Sequence, residues 1–136
     1  MAHIHLETII HVPLARVWAA LSDVGALHTR LVPGFVVDCA YDGEVRTVTF
    51  GNGLVAREHI LDVDPDTKRV AWSAEGGNLS HYSASAQLFT AGARTCRVVW
   101  LADLLPHEAA PGIAAMIEQG LAAMKRHLEA VERASA

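Results

Sequence analysis

The sequence lacks the features that mark several large classes of protein. No stretch approaches the roughly 18 consecutive apolar residues that a membrane-spanning helix needs. The N-terminal segment has neither the basic residues nor the apolar run of a secretory signal. Lys and Arg number 11 against 15 Asp and Glu, for a net charge of −4, and they form no basic stripe. We therefore expect a cytoplasmic protein with no membrane span and no nucleic-acid partner.

Cysteine is scarce, and no motif for a metal or a cofactor is present. The two cysteines, Cys39 and Cys96, lie within alternating apolar stretches, where a free thiol packs as a small core residue. We expect both to be reduced and unbridged. The eight histidines show no HExxH arrangement, and no Ser-His-Asp spacing, nucleophile elbow or phosphate loop occurs. We therefore predict neither a metal nor a cofactor.

The sequence does contain enough apolar material for one globular domain. It has 136 residues, of which 51% are hydrophobic and 19% charged. A chain of this length can bury roughly 68% of the surface that it exposes when unfolded. We expect one domain over residues 1–136, present as a monomer or a homodimer.

The N-terminal quarter is predicted to contain a strand followed by two short helices. Polar and apolar residues alternate over residues 3–12, as in a strand with one solvent-exposed face. Apolar residues then recur at helical spacing over residues 13–22, with Pro13 in the first turn. Asp23 is expected to cap a second short helix to residue 31, which Pro33 and Gly34 terminate.

Six further strands and one long helix complete the chain. The second and third strands flank Asp42-Gly43, a strong signal for a two-residue hairpin turn. The remaining strands are expected at 54–63, 68–74, 80–90 and 95–104, and their short connections predict an antiparallel meander. Residues 108–133 carry an apolar stripe at helical spacing. An α+β fold follows, in which a curved seven-stranded antiparallel sheet wraps around the long C-terminal helix.

This order of elements, together with particular residues, resembles the helix-grip superfamily. That superfamily contains polyketide cyclases and dehydrases, START-like lipid-transfer domains and plant abscisic acid receptors, and is also called SRPBCC. The resemblance covers nearly the whole chain. The segments that carry it are Ile10-His11-Val12-Pro13, Val17-Trp18, Leu21-Ser22-Asp23, Gly43-Glu44-Val45-Arg46, Arg57-Glu58-His59-Ile60 and Val99-Trp100. Leu31 departs from the pattern, because many members have a Trp there.

The resemblance implies an internal cavity between the sheet and the long helix, closed at one end by the two short helices. Trp18 is interpreted as part of the packing at that end. The predicted turns decide which strand residues face the cavity, because directly opposed residues share a face. The inward set is then Phe35, Val37, Cys39, Tyr41, Arg46, Val48, Phe50, Leu54, Ala56, Glu58 and Ile60.

This inward set contains one Arg and one Glu that are predicted to lie side by side. Burying either charge alone would be costly, so Arg46 and Glu58 should pair or meet a polar ligand. The pair is either an ion pair that fixes the sheet register or a polar anchor in an apolar pocket. The resemblance favours the anchor, since receptors of the superfamily place a Glu and an Arg at the matching positions near bound ligand or its waters.

Further residues extend the predicted ligand site. The resemblance places Tyr82 at the position of a ligand-contacting Tyr, and His81 precedes it near the expected cavity mouth. Gly120 either widens the cavity or permits close approach of helix and sheet. The residues predicted to bind ligand are Arg46, Glu58, Tyr82, Trp100, Trp72, Val48, Phe50, Val98, Ala84, Gly120, Met116 and Met124.

Two functions follow from this sequence. One is a carrier or sensor that binds a small hydrophobic molecule of polyketide, lipid or aromatic type. The other is an enzyme resembling a polyketide cyclase or dehydratase, with Glu58 as general acid or base, Arg46 stabilising an enolate-like oxygen, and Tyr82 or His81 relaying a proton. We favour binding, because the inward face offers no second evident acid or base.

Overall fold

A computed structural model describes residues 1–135 and contains seven strands and two α-helices. Two shorter helical turns are also present, a π-helical turn at Leu27–Leu31 and a 3₁₀ turn at His107–Ala109. In chain order the strands and α-helices are β1 (Ala2–Ile10), α1 (Leu14–Leu21), β2 (Val36–Tyr41), β3 (Val45–Phe50), β4 (Val55–Asp64), β5 (Arg69–Glu75), β6 (His81–Thr90), β7 (Cys96–Leu105) and α2 (Ala110–Ala134).

The strands form one antiparallel sheet with the order β1-β7-β6-β5-β4-β3-β2. Strands β2 to β7 are therefore a meander, as predicted, and β1 adds to it beside β7. The alternating apolar residues of the strands face α2, which packs its own apolar stripe against them. This arrangement confirms the helix-grip fold and places the core between the sheet and α2.

The hairpin between β3 and β4 has the predicted register. Phe50 N–H donates to the Leu54 carbonyl at 2.8 Å, which closes the predicted three-residue turn over residues 51–53. Arg46 consequently opposes Glu58, and Val48 opposes Ala56. The side chains of each opposed pair share a face of the sheet.

The hairpin between β2 and β3 departs from the prediction. Asp42 N–H donates to the Val45 carbonyl at 3.1 Å, so the turn residues are Gly43 and Glu44 rather than Asp42 and Gly43. The Asp42 carboxylate instead accepts hydrogen bonds from the backbone N–H groups of Glu44 and Val45. Tyr41 therefore opposes Arg46. The register is displaced by two residues, an even number, so Cys39 and Tyr41 stay on the predicted face of β2.

A bulge in β2 reverses the outcome for one residue of the predicted inward set. The register shifts between Val36 and Asp38, so the extra residue Val37 turns outward and is 54% exposed. Val36 takes the inward place and is buried. Strict alternation from Phe35 was therefore wrong at Val37. Tyr41, also predicted to face inward, is exposed at the end of β2. Leu54, just before β4, is exposed as well but lines the space between the sheet and α2.

The second short helix is shorter than predicted. It begins at Leu27 rather than Asp23 and is a single π-helical turn. Asp23 does not cap it, because the Asp23 carboxylate accepts a hydrogen bond from Arg30 Nη1 at 2.9 Å. The Asp23 carbonyl accepts from Ala26 N–H, which makes a turn before the helical segment.

The cysteines are free and buried, as predicted. Cys39 lies on β2 and Cys96 on β7, with four strands of the sheet between them. Burial raises the pKa of the Cys96 thiol to about 11 and also raises that of Cys39. Within residues 1–135, no helix is long and apolar enough to cross a membrane.

Candidate functional site

The most unusual feature of the interior is an ion pair between neighbouring strands. Arg46 on β3 donates from Nε to Glu58 Oε1 on β4 at 2.7 Å, and both side chains are at least nine-tenths buried. Arg46 Nη1 also donates to the Val24 carbonyl at 3.2 Å, in the turn after α1. The guanidinium lies 5.2 Å from the ring centroid of Trp72 on β5. Arg46 thus joins the sheet, the Trp72 ring and the chain near α1.

Glu58 retains capacity to bind something else. Among residues 1–135, the only donor to its carboxylate is Arg46, which uses Oε1. A carboxylate can accept up to about four hydrogen bonds, so Oε2 offers vacant lone pairs. Glu58 also lines a cavity between the sheet and α2. The ion pair therefore presents an acceptor to that cavity without leaving either charge unpaired.

The cavity has a volume of about 410 Å³, within the range of small-molecule sites. Its wall is mainly apolar. The short helical segments, the loop before β2 and the first residue of β2 supply Leu21, Leu27, Leu31, Val32, Phe35 and Val36. Strands β3 and β4 and the turn between them supply Arg46, Val48, Phe50, Leu54, Val55, Ala56 and Glu58. Strands β5 to β7 and the β5–β6 turn supply Val70, Trp72, Ala74, Glu75, Gly76, Gly77, Asn78, Leu79, Tyr82, Ala86 and Trp100. The 3₁₀ turn and α2 supply Ala109, Ile113, Met116, Ile117 and Met124.

A second polar pair lies in the same wall. The Tyr82 side chain is buried, and burial is the main cause that raises the pKa of its hydroxyl, with the nearby Glu58 carboxylate raising it further. The indole N–H of Trp100 is near enough to oppose part of that rise. However, Trp100 Nε1 is buried and makes no hydrogen bond with any residue from 1 to 135. A buried N–H without an acceptor is costly, so this part of the wall is incompletely satisfied by the protein.

Nine of the residues predicted to bind ligand line the cavity. They are Arg46, Glu58, Val48, Phe50, Trp72, Tyr82, Trp100, Met116 and Met124. Periodicity and turn length bring together residues from five strands, and the stripe of α2 supplies the two methionines. Whether these residues contact a ligand stays a prediction.

Three other predicted ligand residues, Ala84, Val98 and Gly120, do not line the cavity. Ala84 opposes Trp72, whose larger side chain forms the adjoining wall. Val98 opposes Leu88 and is completely buried in the packed core. At Gly120, an added Cβ would lie 3.1 Å from Phe35 Cε2 and 3.3 Å from Trp100 Cζ3. Gly120 therefore permits close approach of helix and sheet, which was one of its two predicted roles.

His81, the fourth catalytic candidate, lies outside the cavity wall. It is the first residue of β6 and is exposed, and its Nε2 is 3.4 Å from Ser83 Oγ. Alternation along β6 explains this, because Tyr82 points inward and its neighbours point outward. The relay role proposed for His81 has no support in this geometry. Within residues 1–135, no group of three or more His, Cys, Asp or Glu side chains is placed to hold a metal ion.

Sequence reasoning missed the part of the wall that loops contribute. Residues 76–79, between β5 and β6, line the cavity, as does Ile113 near the start of α2. The sequence marks 76–79 only as a Gly-containing turn, and nothing in its pattern indicates which way that turn folds. Leu27 and Leu31 carried a detectable signal, because their i,i+4 spacing gives one helical face.

Comparisons with known proteins agree with this geometry. A family model described as polyketide cyclase / dehydrase and lipid transport matches residues 1–129. No curated protein matches the chain in sequence.

Solved structures with low sequence identity share the fold. The Zhui aromatase/cyclase from Streptomyces sp. R1128 has a TM-score of 0.78 at 20% identity, covering 99% of this chain and 98% of its own. A START superfamily protein from Mycobacterium smegmatis has a TM-score of 0.71 at 12% identity, covering 98% and 99%. Norcoclaurine synthase from Thalictrum flavum, solved with dopamine and hydroxybenzaldehyde, has a TM-score of 0.73 at 18% identity, covering 99% and 88%.

Proposed function

The chain belongs to the polyketide cyclase / dehydrase and lipid transport family, and we propose that it binds a small, mainly apolar molecule in the cavity between the sheet and α2. The protein acts as a carrier or sensor of that molecule in the cytoplasm. Its two free cysteines fit that compartment, where thiols are usually kept reduced. The observation that carries the proposal is the Glu58 carboxylate oxygen Oε2, which accepts no hydrogen bond from residues 1–135, in a mainly apolar cavity of about 410 Å³.

The chemistry of the wall favours a ligand with at least one hydroxyl or N–H group. Glu58 Oε2 can only accept a hydrogen bond when the carboxylate is ionised, so the ligand must supply the donor. The rings of Trp72 and Trp100 meet edge to face, with centroids 5.6 Å apart, and provide a broad apolar surface beside that acceptor. A phenol-like or long-chain alcohol would match both features.

Binding can be tested with 2-naphthol, an apolar double ring with one hydroxyl. Trp72 and Trp100 line the cavity, so saturable quenching of tryptophan fluorescence reports occupancy. We expect naphthalene, which lacks the hydroxyl, to bind about tenfold more weakly, as expected when a hydrogen bond to a charged group is lost. Equal affinity for both compounds, or quenching that does not saturate, would contradict the proposal.

Glu58→Gln provides the residue-level test with the same probe. The amide preserves shape but removes the charge, so affinity for 2-naphthol should fall by about tenfold. Glu44→Gln is the matched control, because Glu44 lies exposed in the β2–β3 turn and its side chain does not line the cavity. A native mass spectrum of protein purified from its own host would then identify the molecule that it carries.

An enzyme related to cyclases and dehydratases is the second candidate, and one observation favours it. Glu58 and the Tyr82 hydroxyl both border the cavity and interact electrostatically. Glu58 could accept an α-proton from a ketone while Arg46 stabilises the enolate oxygen and Tyr82 donates to it. Binding is favoured because the other lining residues offer no histidine and no second buried carboxylate.

Glu58→Gln also separates the two candidates. A poly-β-keto thioester would be the probe, and mass spectrometry would detect loss of water after ring closure. An enzyme should bind this thioester with little change in affinity after Glu58→Gln while turnover falls about 100- to 10,000-fold. Absence of turnover in the unmodified protein, together with tight binding, supports the carrier.

A further inference from the structure

A second, smaller chamber adjoins the main cavity on the side of the β3–β4 turn. It has a volume of about 200 Å³. Three residues, Phe35, Phe50 and Met116, line both spaces and therefore form the partition between them. We call this smaller space the outer chamber.

The partition includes two aromatic rings and one methionine. Phe35 and Phe50 meet edge to face with ring centroids 5.4 Å apart, and both rings are only partly buried. Met116 is an unbranched side chain that can adopt several shapes. Phe35 also packs where Gly120 leaves room for it. Rotation of these side chains would join the two spaces without any change in the backbone.

The outer chamber differs in chemistry from the main cavity. Its remaining wall consists of Gly34, Gly51, Asn52 and Gln119. Asn52 Oδ1 accepts from Leu54 N–H, which leaves the Asn52 NH₂ group free to donate. The Gln119 side chain makes no hydrogen bond to another residue in the described part of the chain and lies exposed on α2. Two uncharged amides thus border a space that adjoins the mainly apolar cavity.

The glycines hold the outer chamber in shape. Gly51 N–H donates to the Phe35 carbonyl at 2.9 Å, which ties the β3–β4 turn to the loop before β2. A Cβ at Gly51 would collide with the Gly34 carbonyl oxygen. Only glycine permits this close contact of the two loops. The glycine at position 51 therefore fixes the backbone arrangement around the outer chamber.

We propose that the outer chamber is a second binding subsite, which receives an uncharged polar end of an elongated ligand whose apolar body fills the main cavity. This inference rests on the proposed function, and it defines the ligand class as a molecule with hydrogen-bonding groups at both ends. One end meets Glu58, and the other passes the Phe35–Phe50–Met116 partition to reach the amides of Asn52 and Gln119.

The distance between the two ends sets the length of the ligand. Arg46 and Phe50 are four residues apart on β3, about 13 Å at the usual strand rise. Octanol anchored at Glu58 is too short to reach beyond Phe50. Dodecane with a hydroxyl group at each end (dodecanediol) is long enough.

Side-chain amide resonances in an NMR spectrum test the proposal directly. The chain has only four residues with such amides, Asn52, Asn78, Gln87 and Gln119. We expect dodecanediol to shift Asn52, Gln119 and Asn78, the last of which lines the main cavity. Octanol should shift Asn78 alone. Gln87 donates to the Thr67 carbonyl away from both spaces and serves as the internal reference.

A variant that fills the outer chamber provides the second test. Gln119 is exposed on α2, so the variant Gln119→Trp should fold. The new indole would occupy the outer chamber. Each methylene excluded from an apolar site costs about fourfold in affinity, so dodecanediol should bind at least tenfold more weakly while octanol is unaffected. Glu118→Trp is the matched control, because Glu118 is exposed beside it but lines neither space.

The outcomes separate this inference from the proposed function. If both probes shift Asn78 but neither shifts Asn52 or Gln119, the second subsite is refuted and the main cavity stands. If Gln119→Trp weakens both probes equally, the outer chamber is not a separate subsite. If neither probe binds, both the proposed function and this inference are overturned.

Discussion

Two polar pairs lie in the wall of one cavity, and they differ in whether the protein satisfies them. Arg46 and Glu58 form a 2.7 Å ion pair that also reaches the Val24 carbonyl. Tyr82 and Trp100 lie together without such a network, and Trp100 Nε1 makes no hydrogen bond among residues 1–135. The first pair should therefore contribute to folding as well as to binding, whereas the second should matter mainly for what the cavity contains.

The largest expected effect comes from breaking the satisfied pair. Arg46→Met would leave the Glu58 carboxylate buried without a partner, which typically costs about 3–5 kcal/mol of unfolding free energy. Urea denaturation would measure it. Arg126→Met is the control, because Arg126 is exposed on α2 and the change should alter stability by less than about 0.5 kcal/mol. Equal stability of the two variants would show that the ion pair does not stabilise the fold.

Removing both charges should restore most of that loss. In the double variant Arg46→Met/Glu58→Leu, no charge remains buried, and apolar side chains of similar size replace the pair. We expect its unfolding free energy to lie within about 1–2 kcal/mol of the unmodified protein. Affinity for 2-naphthol should fall by about tenfold, because the hydrogen bond to Glu58 is lost. If the double variant is as unstable as Arg46→Met alone, packing rather than charge dominates at Arg46.

For the pair of Tyr82 and Trp100 we expect the opposite, a small effect on stability and a clear effect on ligand affinity. Tyr82→Phe removes a hydroxyl that no described residue binds well, so the unfolding free energy should change by less than about 1 kcal/mol. Affinity for 2-naphthol should fall by about fivefold, since a neutral hydrogen bond to the ligand would be lost. A large loss of stability in urea denaturation would instead show that the Tyr82 hydroxyl is satisfied within the protein.

The sequence predicted the pairing of β3 with β4 better than it predicted the path of β2. A three-residue turn over residues 51–53 placed Arg46 opposite Glu58, and the structure has that turn and that register. The Asp42-Gly43 signal was ambiguous, since Asp42 can stay paired in the strand and bond the turn with its carboxylate. The bulge at Val37 had no local signal, because it depends on how β2 meets the loop that follows the π-helical turn.

The partition of the cavity could not be predicted for a related reason. Phe50 was predicted to bind ligand, and Phe35 was assigned to the inward face. Their contact with Met116 depends on how closely α2 approaches the sheet, which Gly120 determines. Periodicity assigns residues to faces, whereas the depth of a cavity depends on packing between elements that are distant in sequence.

The smallest predicted effect concerns ionisation of Tyr82. Burial, and then the Glu58 carboxylate, raise the pKa of its hydroxyl above the usual value of about 10. The folded state therefore holds this proton more tightly than the unfolded state does. Its contribution to stability is present below about pH 10 and is lost as the pH rises through the folded-state pKa. Comparing unfolding free energies at pH 9 and pH 11 would reveal a loss that is smaller in Tyr82→Phe.

Ultraviolet titration resolves the same group in the folded protein. The chain has two tyrosines, and Tyr82→Phe identifies which part of the phenolate absorbance belongs to Tyr82. Glu58→Gln should lower the pKa of Tyr82, because it removes the neighbouring negative charge but leaves the burial unchanged. If Glu58→Gln leaves the titration of Tyr82 unchanged, the two polar pairs do not communicate across the cavity, and a ligand could satisfy each of them independently.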